Sequence, residues 1–281
     1  MTVLEIQKQI EAILEAGGCE TPAFDAVCIL EDIGGIGRGN VLLKHSSCVQ
    51  PVTEKSLLTA AKKRAEGVPL QYLLGTWDFL SLTLEVGEGV LIPRPETELL
   101  CQLSAEYLRN TKHKTVFDLC AGSGCVGLGI TSLCEGASVT AVEWSKEALA
   151  YLEKNLRRYP SFRVKAVHAD VLNDFDQFKQ SVDAIVSNPP YIPSAELNDL
   201  QREVQHEPRV ALDGKDGYVF YRAIVEHWIS KLNPGGFVAV EVGIGQAQTV
   251  SEMFSEAGLC DVTVHNDFAD IPRVVTGRKY E

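Results

Sequence analysis

Long uncharged apolar runs are missing from this sequence of 281 residues. A helix that crosses a bilayer needs about 20 consecutive, mostly apolar residues, and no run here reaches that length. Residues 1–6 contain an early glutamate and no basic flank, so they do not resemble a secretory signal. We therefore expect a cytoplasmic protein that does not enter a membrane.

Cysteine clusters with the spacing of a metal site are missing as well. The eight cysteines stand mostly in apolar surroundings, and none is part of a Cys-x-x-Cys pair or a Cys/His cluster. Structural zinc sites and disulfide frameworks usually show such spacing. We expect reduced thiols that lie largely in the core, and we expect no metal ion.

The sequence also lacks an excess of positive charge. Its 26 basic and 38 acidic side chains give a net charge of −12. Proteins that hold duplex DNA or long RNA through many phosphates usually carry a basic face. An acidic surface instead suits a basic protein partner, so we expect a protein substrate and no nucleic acid.

What the sequence does contain begins with helical patterns. Apolar residues recur at helical spacing over residues 2–16, Thr21-Pro22 has the form of a helix start, and residues 52–67 form another helical pattern. Residues 38–43 allow a further short helix. We predict a small all-helical domain over residues 1–70.

Between residues 71 and 92 the pattern changes from helical to strand-like. Apolar and aromatic residues, among them Tyr72, Leu74, Trp77 and Phe79, are separated by turns that contain glycine. We predict a β-hairpin linker over residues 71–92.

Residues 93–281 alternate apolar strands with helices, which is the pattern of a doubly wound α/β sheet. Parallel strands bring their carboxyl ends to one edge of the sheet, where ligands bind. One acid at a strand end is more often a cap, whereas polar residues after four successive strands indicate a ligand site. These residues are Asp118, Glu143, Asp170 and Asn188.

The first of these strands runs into a turn of small residues that starts a helix. Glycines in the turn permit close approach of the backbone to a ligand, and the helix start offers free N–H groups. A tight packing turn between strand and helix explains the same glycines, so the turn alone decides nothing. Asp118 would repel a pyrophosphate and better suits an amino group or a sulfonium. The turn comprises Cys120, Ala121, Gly122, Ser123 and Gly124.

The acids at the next two strand ends suit the rest of a nucleoside. Glu143 follows the turn by about twenty residues, the separation at which a carboxylate can bind the two hydroxyls of a ribose. Asp170 is a suitable acceptor for an exocyclic amine such as that of adenine. These two acids favour the interpretation of the turn as a ligand site over its interpretation as a packing turn.

The fourth strand, residues 182–186, ends at Asn188-Pro189-Pro190-Tyr191. Two adjacent prolines stop a strand and stiffen the loop that follows. Such a loop can hold the side-chain amide of Asn188 and the carbonyl of Pro189 as fixed acceptors, with the Tyr191 ring beside them. Taken alone, the tetrapeptide is more often an ordinary turn, but the three preceding strand ends favour a site.

Together these motifs resemble the release factor glutamine N5-methyltransferases, the PrmC/HemK family of class I S-adenosylmethionine-dependent methyltransferases. The resemblance covers nearly the whole chain, and it is the combination of motifs that is specific. Its motifs are Ile92-Pro93-Arg94-Pro95-Glu96-Thr97-Glu98, Asp118-x-x-x-Gly122-x-Gly124, Glu143, Asp170, Asn188-Pro189-Pro190-Tyr191, Glu207-Pro208-Arg209-Val210-Ala211-Leu212-Asp213-Gly214, Leu232-Asn233-Pro234-Gly235-Gly236 and Arg273-Val274-Val275-x-Gly277-Arg278.

The resemblance implies a Rossmann-like sheet of seven strands and a role for each site residue. S-adenosylmethionine would lie with its methionine part on the turn 120–124 near Asp118, its ribose on Glu143 and its adenine on Asp170 and Val171. Asn188 would lie between cofactor and substrate. Asn188, Pro189 and Tyr191 would be catalytic, and Pro190, Arg94 and Glu207 would join them on the substrate side.

The substrate that the resemblance implies is the glutamine of the GGQ motif in peptide chain release factors, and residues 1–70 would dock that protein. Asn188 and Pro189 would accept the two amide hydrogens while Tyr191 packs on the amide, with no covalent intermediate. An adenine N6-methyltransferase acting on nucleic acid is the alternative, because an aromatic amine also presents two hydrogens in a plane. A cofactor-binding scaffold without turnover is a further alternative.

Four positions depart from the usual pattern of that family. Cys120 stands where glycine is usual, Glu143 where aspartate is usual, Lys215 where a second glycine is common, and Pro272 where aspartate is common. The first two changes would alter the pocket wall and the reach of the carboxylate while keeping the chemistry.

Overall fold

A computed structural model describes residues 1–37, 39 and 46–280. The chain divides into two compact units. The first comprises Met1–Thr76 together with Gln201–His206, and the second comprises Trp77–Leu200 together with Glu207–Glu281. Apart from Gly39, the short helix that residues 38–43 allow lies outside the described residues.

The first unit is helical. Its opening helix begins at a capping box, in which Thr2 Oγ1 accepts the N–H of Glu5 and the Glu5 carboxylate accepts the N–H of Thr2. The buried face of that helix repeats every three or four residues, as an amphipathic helix requires. The helices are Val3–Ala16, Pro22–Cys28, Pro51–Ala65 and Leu70–Leu74, with a π-helical turn at Ile29–Ile33 and a 3₁₀ turn at Val204–His206.

The strand interpretation of Tyr72 and Leu74 is wrong. Both residues lie in the short helix Leu70–Leu74, which ends at Gly75 with a φ of 79°, the left-handed cap that glycine adopts without strain. The hairpin itself starts after this cap, with β1 (Thr76–Phe79) and β2 (Leu82–Glu85). Aromatic residues and a glycine give the same local signal for a capped helical turn as for a strand end.

A buried ion pair joins separate segments of the helical unit. Arg64, 5% exposed, donates from Nε to Asp25 Oδ2 at 2.7 Å and from Nη1 to Glu203 Oε1 at 2.6 Å. Asp25 is 2% exposed and also accepts from the Thr21 hydroxyl. One guanidinium thereby ties Pro22–Cys28, Pro51–Ala65 and the segment 201–206 together.

The second unit is built on a seven-stranded, mostly parallel sheet, which confirms the predicted α/β class. The strand order is β5-β4-β3-β6-β7-β9-β8. Within this sheet β3 to β7 run parallel, and β9 pairs antiparallel with β7 and β8. The strands are β3 (Thr115–Leu119), β4 (Ser138–Glu143), β5 (Arg163–His168), β6 (Val182–Ser187), β7 (Leu232–Glu241), β8 (Cys260–Asn266) and β9 (Pro272–Arg278).

Apolar cores cover both faces of this sheet. In β6, Ile185 packs in the cluster that contains Trp228, whereas Ala184 and Val186 pack in the cluster that contains Leu128. This alternation is why the central strands are apolar at nearly every position. The α-helices are Thr97–Arg109, Cys125–Leu133, Lys146–Arg158, Arg209–Leu212, Val219–Ala223 and Ala247–Glu256, and the shorter turns are Phe175–Gln177, Leu197–Asp199, Ile224–Trp228 and Ile229–Lys231.

The chain order of the strands creates a switch point in the sheet. The chain passes outward from β3 through β4 to β5, then returns to place β6 on the other side of β3. Ligands bind at the carboxyl ends of strands around such a point. Among the described residues, no helix has the length and apolar character that crossing a membrane would require.

We expect Asp25→Ala to destabilise the helical unit, because it leaves the buried Arg64 without its buried partner. The cost is about 3 kcal/mol. It should lower hydrogen-exchange protection in the helix Pro51–Ala65 by roughly a hundredfold. The control is Glu54→Ala, which breaks the more exposed pair with the amino terminus and should change protection by less than about threefold. Equal effects of the two substitutions would contradict a structural role for the buried pair.

Candidate functional site

A cavity of about 480 Å³ opens at the carboxyl edge of the second unit's sheet. Residues from four of the parallel strand ends and from the segment 208–215 contribute to its wall. The residues that line it are Gly89, Leu91, Cys120, Gly122, Glu143, Trp144, Ser145, Ala148, Asp170, Val171, Leu172, Asn188, Pro190, Pro208, Arg209, Val210, Ala211, Asp213, Lys215 and Phe220.

The turn after β3 contributes to the cavity through Cys120 and Gly122. Gly122 has a φ of 56°, and a Cβ added there would meet no atom within 4 Å. Gly124 has a φ of 83°, and a Cβ there would lie 2.4 Å from Leu152 Cδ1. Gly124 thus serves tight packing, while Gly122 leaves open backbone towards a ligand. The packing interpretation of the turn therefore applies to Gly124 and the ligand-binding interpretation to Gly122. Ala121, Ser123 and Gly124 do not line the cavity.

Two of the departures from the family pattern occupy left-handed backbone. Cys120 has a φ of 60° and Lys215 a φ of 63°, a region that costs a side-chain-bearing residue about 1 kcal/mol or more. Glycine is usual at such positions because it pays no such cost. Both side chains line the cavity, and Lys215 pairs with Asp213 at 3.2 Å. Both residues therefore add a side chain to the cavity wall at a position where glycine would add none.

The Glu143 carboxylate connects two loops at the cavity. Oε2 accepts the N–H of Gly122 and Oε1 accepts the N–H of Ser145, both at 2.7 Å. Burial raises the pKa of Glu143, while these N–H groups oppose that shift. Because a carboxylate has about four acceptor sites, each oxygen can still accept a hydroxyl from a ligand.

Asp170 is similarly anchored by its own loop. Its Oδ1 accepts the N–H of Leu172 at 2.8 Å, and its Oδ2 accepts from Asn173 Nδ2 at 2.6 Å. Val171 and Leu172 line the cavity beside it. The loop therefore offers a fixed carboxylate next to an apolar surface, which suits a base with an exocyclic amine.

Asp118 lies beneath the cavity rather than on its wall. It is fully buried, and its Oδ2 accepts the N–H of Gly127 at 2.9 Å in the first turn of the following helix. Among the described residues, its Oδ1 and the Ser123 hydroxyl have no hydrogen-bond partner. Burial raises the pKa of Asp118 to about 7, against the opposing effect of the Gly127 N–H.

The segment 188–191 divides between the cavity and the interior. Asn188 and Pro190 line the cavity, whereas Pro189 and Tyr191 do not. The loop is held by its backbone, since Gln246 Nε2 donates to the Tyr191 carbonyl at 2.9 Å. Gly214 also packs closely there, because a Cβ on it would lie 2.7 Å from the Pro190 carbonyl oxygen.

Two residues whose role the sequence does not indicate lie against this loop. Thr97, 1% exposed, accepts from Asn188 Nδ2 at 3.1 Å and donates to Glu241 Oε2 at 2.6 Å. The Tyr191 hydroxyl stands 3.5 Å from Glu241 Oε1. Glu241 ends β7, so the signal that identified the other strand-end acids also applies to it.

Arg94 and Glu207, which were predicted on the substrate side, pair with each other. The Arg94 guanidinium donates to Glu207, whose second oxygen accepts the N–H of Ile92 at 3.0 Å. Neither lines the cavity. This pair fixes the start of the segment 207–214, in which Pro208 and Arg209 do line the cavity.

Comparisons with known proteins agree on one family. Residues 97–214 match the family described as Methyltransferase small domain, and residues 5–75 match the PrmC N-terminal domain. A release factor glutamine methyltransferase of Geobacter sulfurreducens is 38% identical over 99% of this chain and 96% of its own length. One of Gloeobacter violaceus is 37% identical over 94% and 93%.

A solved structure supports the fold alone. The crystal structure of a methyltransferase from Pyrococcus furiosus is 19% identical, covers 72% of this chain and 91% of its own, and has a TM-score of 0.54.

The buried carboxyl of Asp118 should make stability fall as pH rises. In the unfolded chain it ionises near its ordinary pKa of 3.8, but in the fold it stays protonated until about pH 7. The penalty is therefore absent below about pH 4, grows between these values, and is complete above pH 7, at about 4 kcal/mol.

Asp118→Asn should remove this dependence, since Asn can still accept from Gly127. Urea unfolding followed by tryptophan fluorescence reports the second unit, because Trp77, Trp144 and Trp228 all lie in it. The free energy of unfolding of the variant relative to wild type should rise from pH 4 to pH 7 and then level off. A difference that does not vary with pH would contradict the shifted pKa.

Proposed function

Because the chain belongs to the release factor glutamine methyltransferase family, we propose that it methylates the N5 amide nitrogen of the glutamine in the GGQ motif of peptide chain release factors. S-adenosylmethionine is the methyl donor, and S-adenosylhomocysteine is the product. The observation that carries the proposal is Asn188, an amide on the wall of a cavity that Glu143 and Asp170 also line. The protein would act in translation termination, in the cytoplasm.

The size and the chemistry of the cavity support this cofactor. Its volume of about 480 Å³ lies within the usual range for small-molecule sites. Glu143 would accept the ribose hydroxyls, Asp170 with Val171 would hold the adenine, and the open backbone at Gly122 would take the methionine part. Asp118 supports this turn from below through Gly127. When bound, S-adenosylmethionine supplies an electrophilic methyl group on a positively charged sulfur.

The protein's own contribution to catalysis is orientation. A glutamine amide nitrogen is a poor nucleophile because its lone pair is shared with the carbonyl. If Asn188 Oδ1 and the Pro189 carbonyl accept the two amide hydrogens, they fix the nitrogen and stabilise the positive charge that develops on it. As the methyl group leaves sulfur for nitrogen, one of these two hydrogens is released as a proton, which gives the neutral N-methyl amide. Tyr191 would steady the glutamine plane, and Pro190 would form part of the wall beside it.

The alternative, an adenine methyltransferase acting on nucleic acid, is less well supported. The relatives at 38% and 37% identity both carry the name of a release factor glutamine methyltransferase. The net charge of −12 gives no sign of the basic surface that a nucleic acid substrate needs.

Asn188→Ala should separate cofactor binding from chemistry. Labelled S-adenosylmethionine and an intact release factor give the rate of methyl transfer, which should fall at least about a hundredfold. Cofactor affinity, followed by fluorescence of Trp144 in the cavity wall, should change less than about tenfold. Asn110→Ala at an exposed helix end is the control. A rate near wild type for Asn188→Ala would exclude the assigned role, and a wild-type protein that never labels release factor would overturn the function.

We also propose that the helical N-terminal domain docks the release factor outside the active site. Its surface exposes Phe24 at 48% and Val52 at 70%. Changing both to Ser should lower kcat/KM for the intact factor by about tenfold and leave the rate with a short GGQ peptide unchanged. Val264→Ser on β8 is the control. Equal losses with protein and peptide would contradict a separate docking surface.

A further inference from the structure

The register of the sheet places Glu241 beside the asparagine of the active-site loop. β6 and β7 are parallel, with Ser187 opposite Val240, so the next residues, Asn188 and Glu241, are neighbours at the carboxyl edge. Glu241 is 1% exposed, and burial raises its pKa to about 7. A carboxylate kept in such a place needs polar partners.

Thr97 links the two side chains in a fixed direction. Its hydroxyl has one proton. With Glu241 ionised, above its pKa of about 7, that proton is directed to the carboxylate, 2.6 Å away at Oε2. Since the proton is used there, the Thr97 oxygen can only accept from Asn188, and at 3.1 Å it accepts from Nδ2. The carboxylate therefore sets the polarity of both hydrogen bonds.

This polarity determines which end of the Asn188 amide remains available. With Nδ2 turned to Thr97, Oδ1 accepts no hydrogen bond from any described residue, and Asn188 lies on the cavity wall. The opposite orientation would present an NH₂ group to a substrate amide that also presents hydrogens. Donor would face donor, and the glutamine would lose an acceptor.

We propose that Glu241 and Thr97 are positioning residues that hold the Asn188 amide with its oxygen towards the substrate glutamine. This inference rests on the proposed function and adds two residues to it. Thr97 and Glu241 are each 1% exposed, and the Thr97 hydroxyl lies between Glu241 and Asn188, so both act through Asn188 rather than by touching substrate or cofactor. Thr97 also begins the helix Thr97–Arg109, which fixes its position independently of the loop.

Hydrogen bonds that only stabilise the packing of this helix on the sheet would be the same ones. The structural role and the positioning role differ in the quantity that a substitution changes. A structural role affects the stability of the fold, whereas a positioning role affects the turnover number with bound substrates and leaves their affinities largely intact. It also makes the effect of Glu241 depend on the presence of the Thr97 hydroxyl.

The test compares four variants of the full chain with an intact release factor and S-adenosylmethionine. Thr97→Val removes the hydroxyl and should lower kcat at least about tenfold, with KM for the release factor and cofactor affinity within about threefold. Thr97→Ser keeps the hydroxyl and should retain kcat within about threefold. Glu241→Gln should lower kcat at least about fivefold. The Gln amide can donate to the Thr97 oxygen, and the Thr97 hydroxyl would then donate to Asn188 and favour the opposite orientation of its amide.

The double variant, Thr97→Val with Glu241→Gln, should be no slower than Thr97→Val alone, because Glu241 acts through the hydroxyl. Thr131→Val is the matched control: Thr131 is another buried threonine, its hydroxyl donates within the helix Cys125–Leu133, and kcat should not change.

Several outcomes would overturn the positioning role. These are a kcat near wild type for Thr97→Val, a loss that Thr97→Ser does not rescue, or additive losses in the double variant. Such results with an active wild type and an inactive Asn188→Ala would leave the proposed function intact. A wild type that does not methylate release factor would instead overturn the function itself.

Discussion

Parallel pairing of β6 with both β3 and β7 is the constraint on which the site depends. It sets Ser187 beside Leu119 on one side and beside Val240 on the other. A shift of one residue in either ladder would turn the apolar side chains of β6 to the wrong faces, so the two buried cores lock the register. This register places Asn188 at the carboxyl edge of the sheet, beside the turn after β3 and beside Glu241.

Much of the second unit was predictable because its signals are local. The apolar run that ends in Glu143 specifies a largely buried strand and its polar end without knowledge of partners. The run before Asp170 specifies the next strand, β5, which lies at the edge of the sheet and is only partly covered. The resemblance to a family then supplied the number of strands. The linker was harder to predict from the sequence, because residues of the types found at Tyr72 and Leu74 occur both in strands and in capped helical turns.

What the sequence could not show depends on contacts between distant residues. The bond between Thr97 and Glu241 spans 144 residues, and Arg64 finds Glu203 only when the segment 201–206 joins the helical unit. Asp118 counted as a ligand-facing acid because of its place in the motif, but only the folded chain reveals that it supports the turn from beneath. Cys120 and Lys215 adopt left-handed backbone that their residue types disfavour, because the surrounding structure fixes the chain path.

The most direct measurement is the identity of the methylated atom. The protein is incubated with S-adenosylmethionine, an intact release factor and DNA together, and the products are digested and sequenced by mass spectrometry. The expected result is one methyl group on the side-chain nitrogen of the GGQ glutamine and none on the nucleic acid. A methyl group on adenine, or on another release factor residue when the GGQ glutamine is intact, would contradict the account.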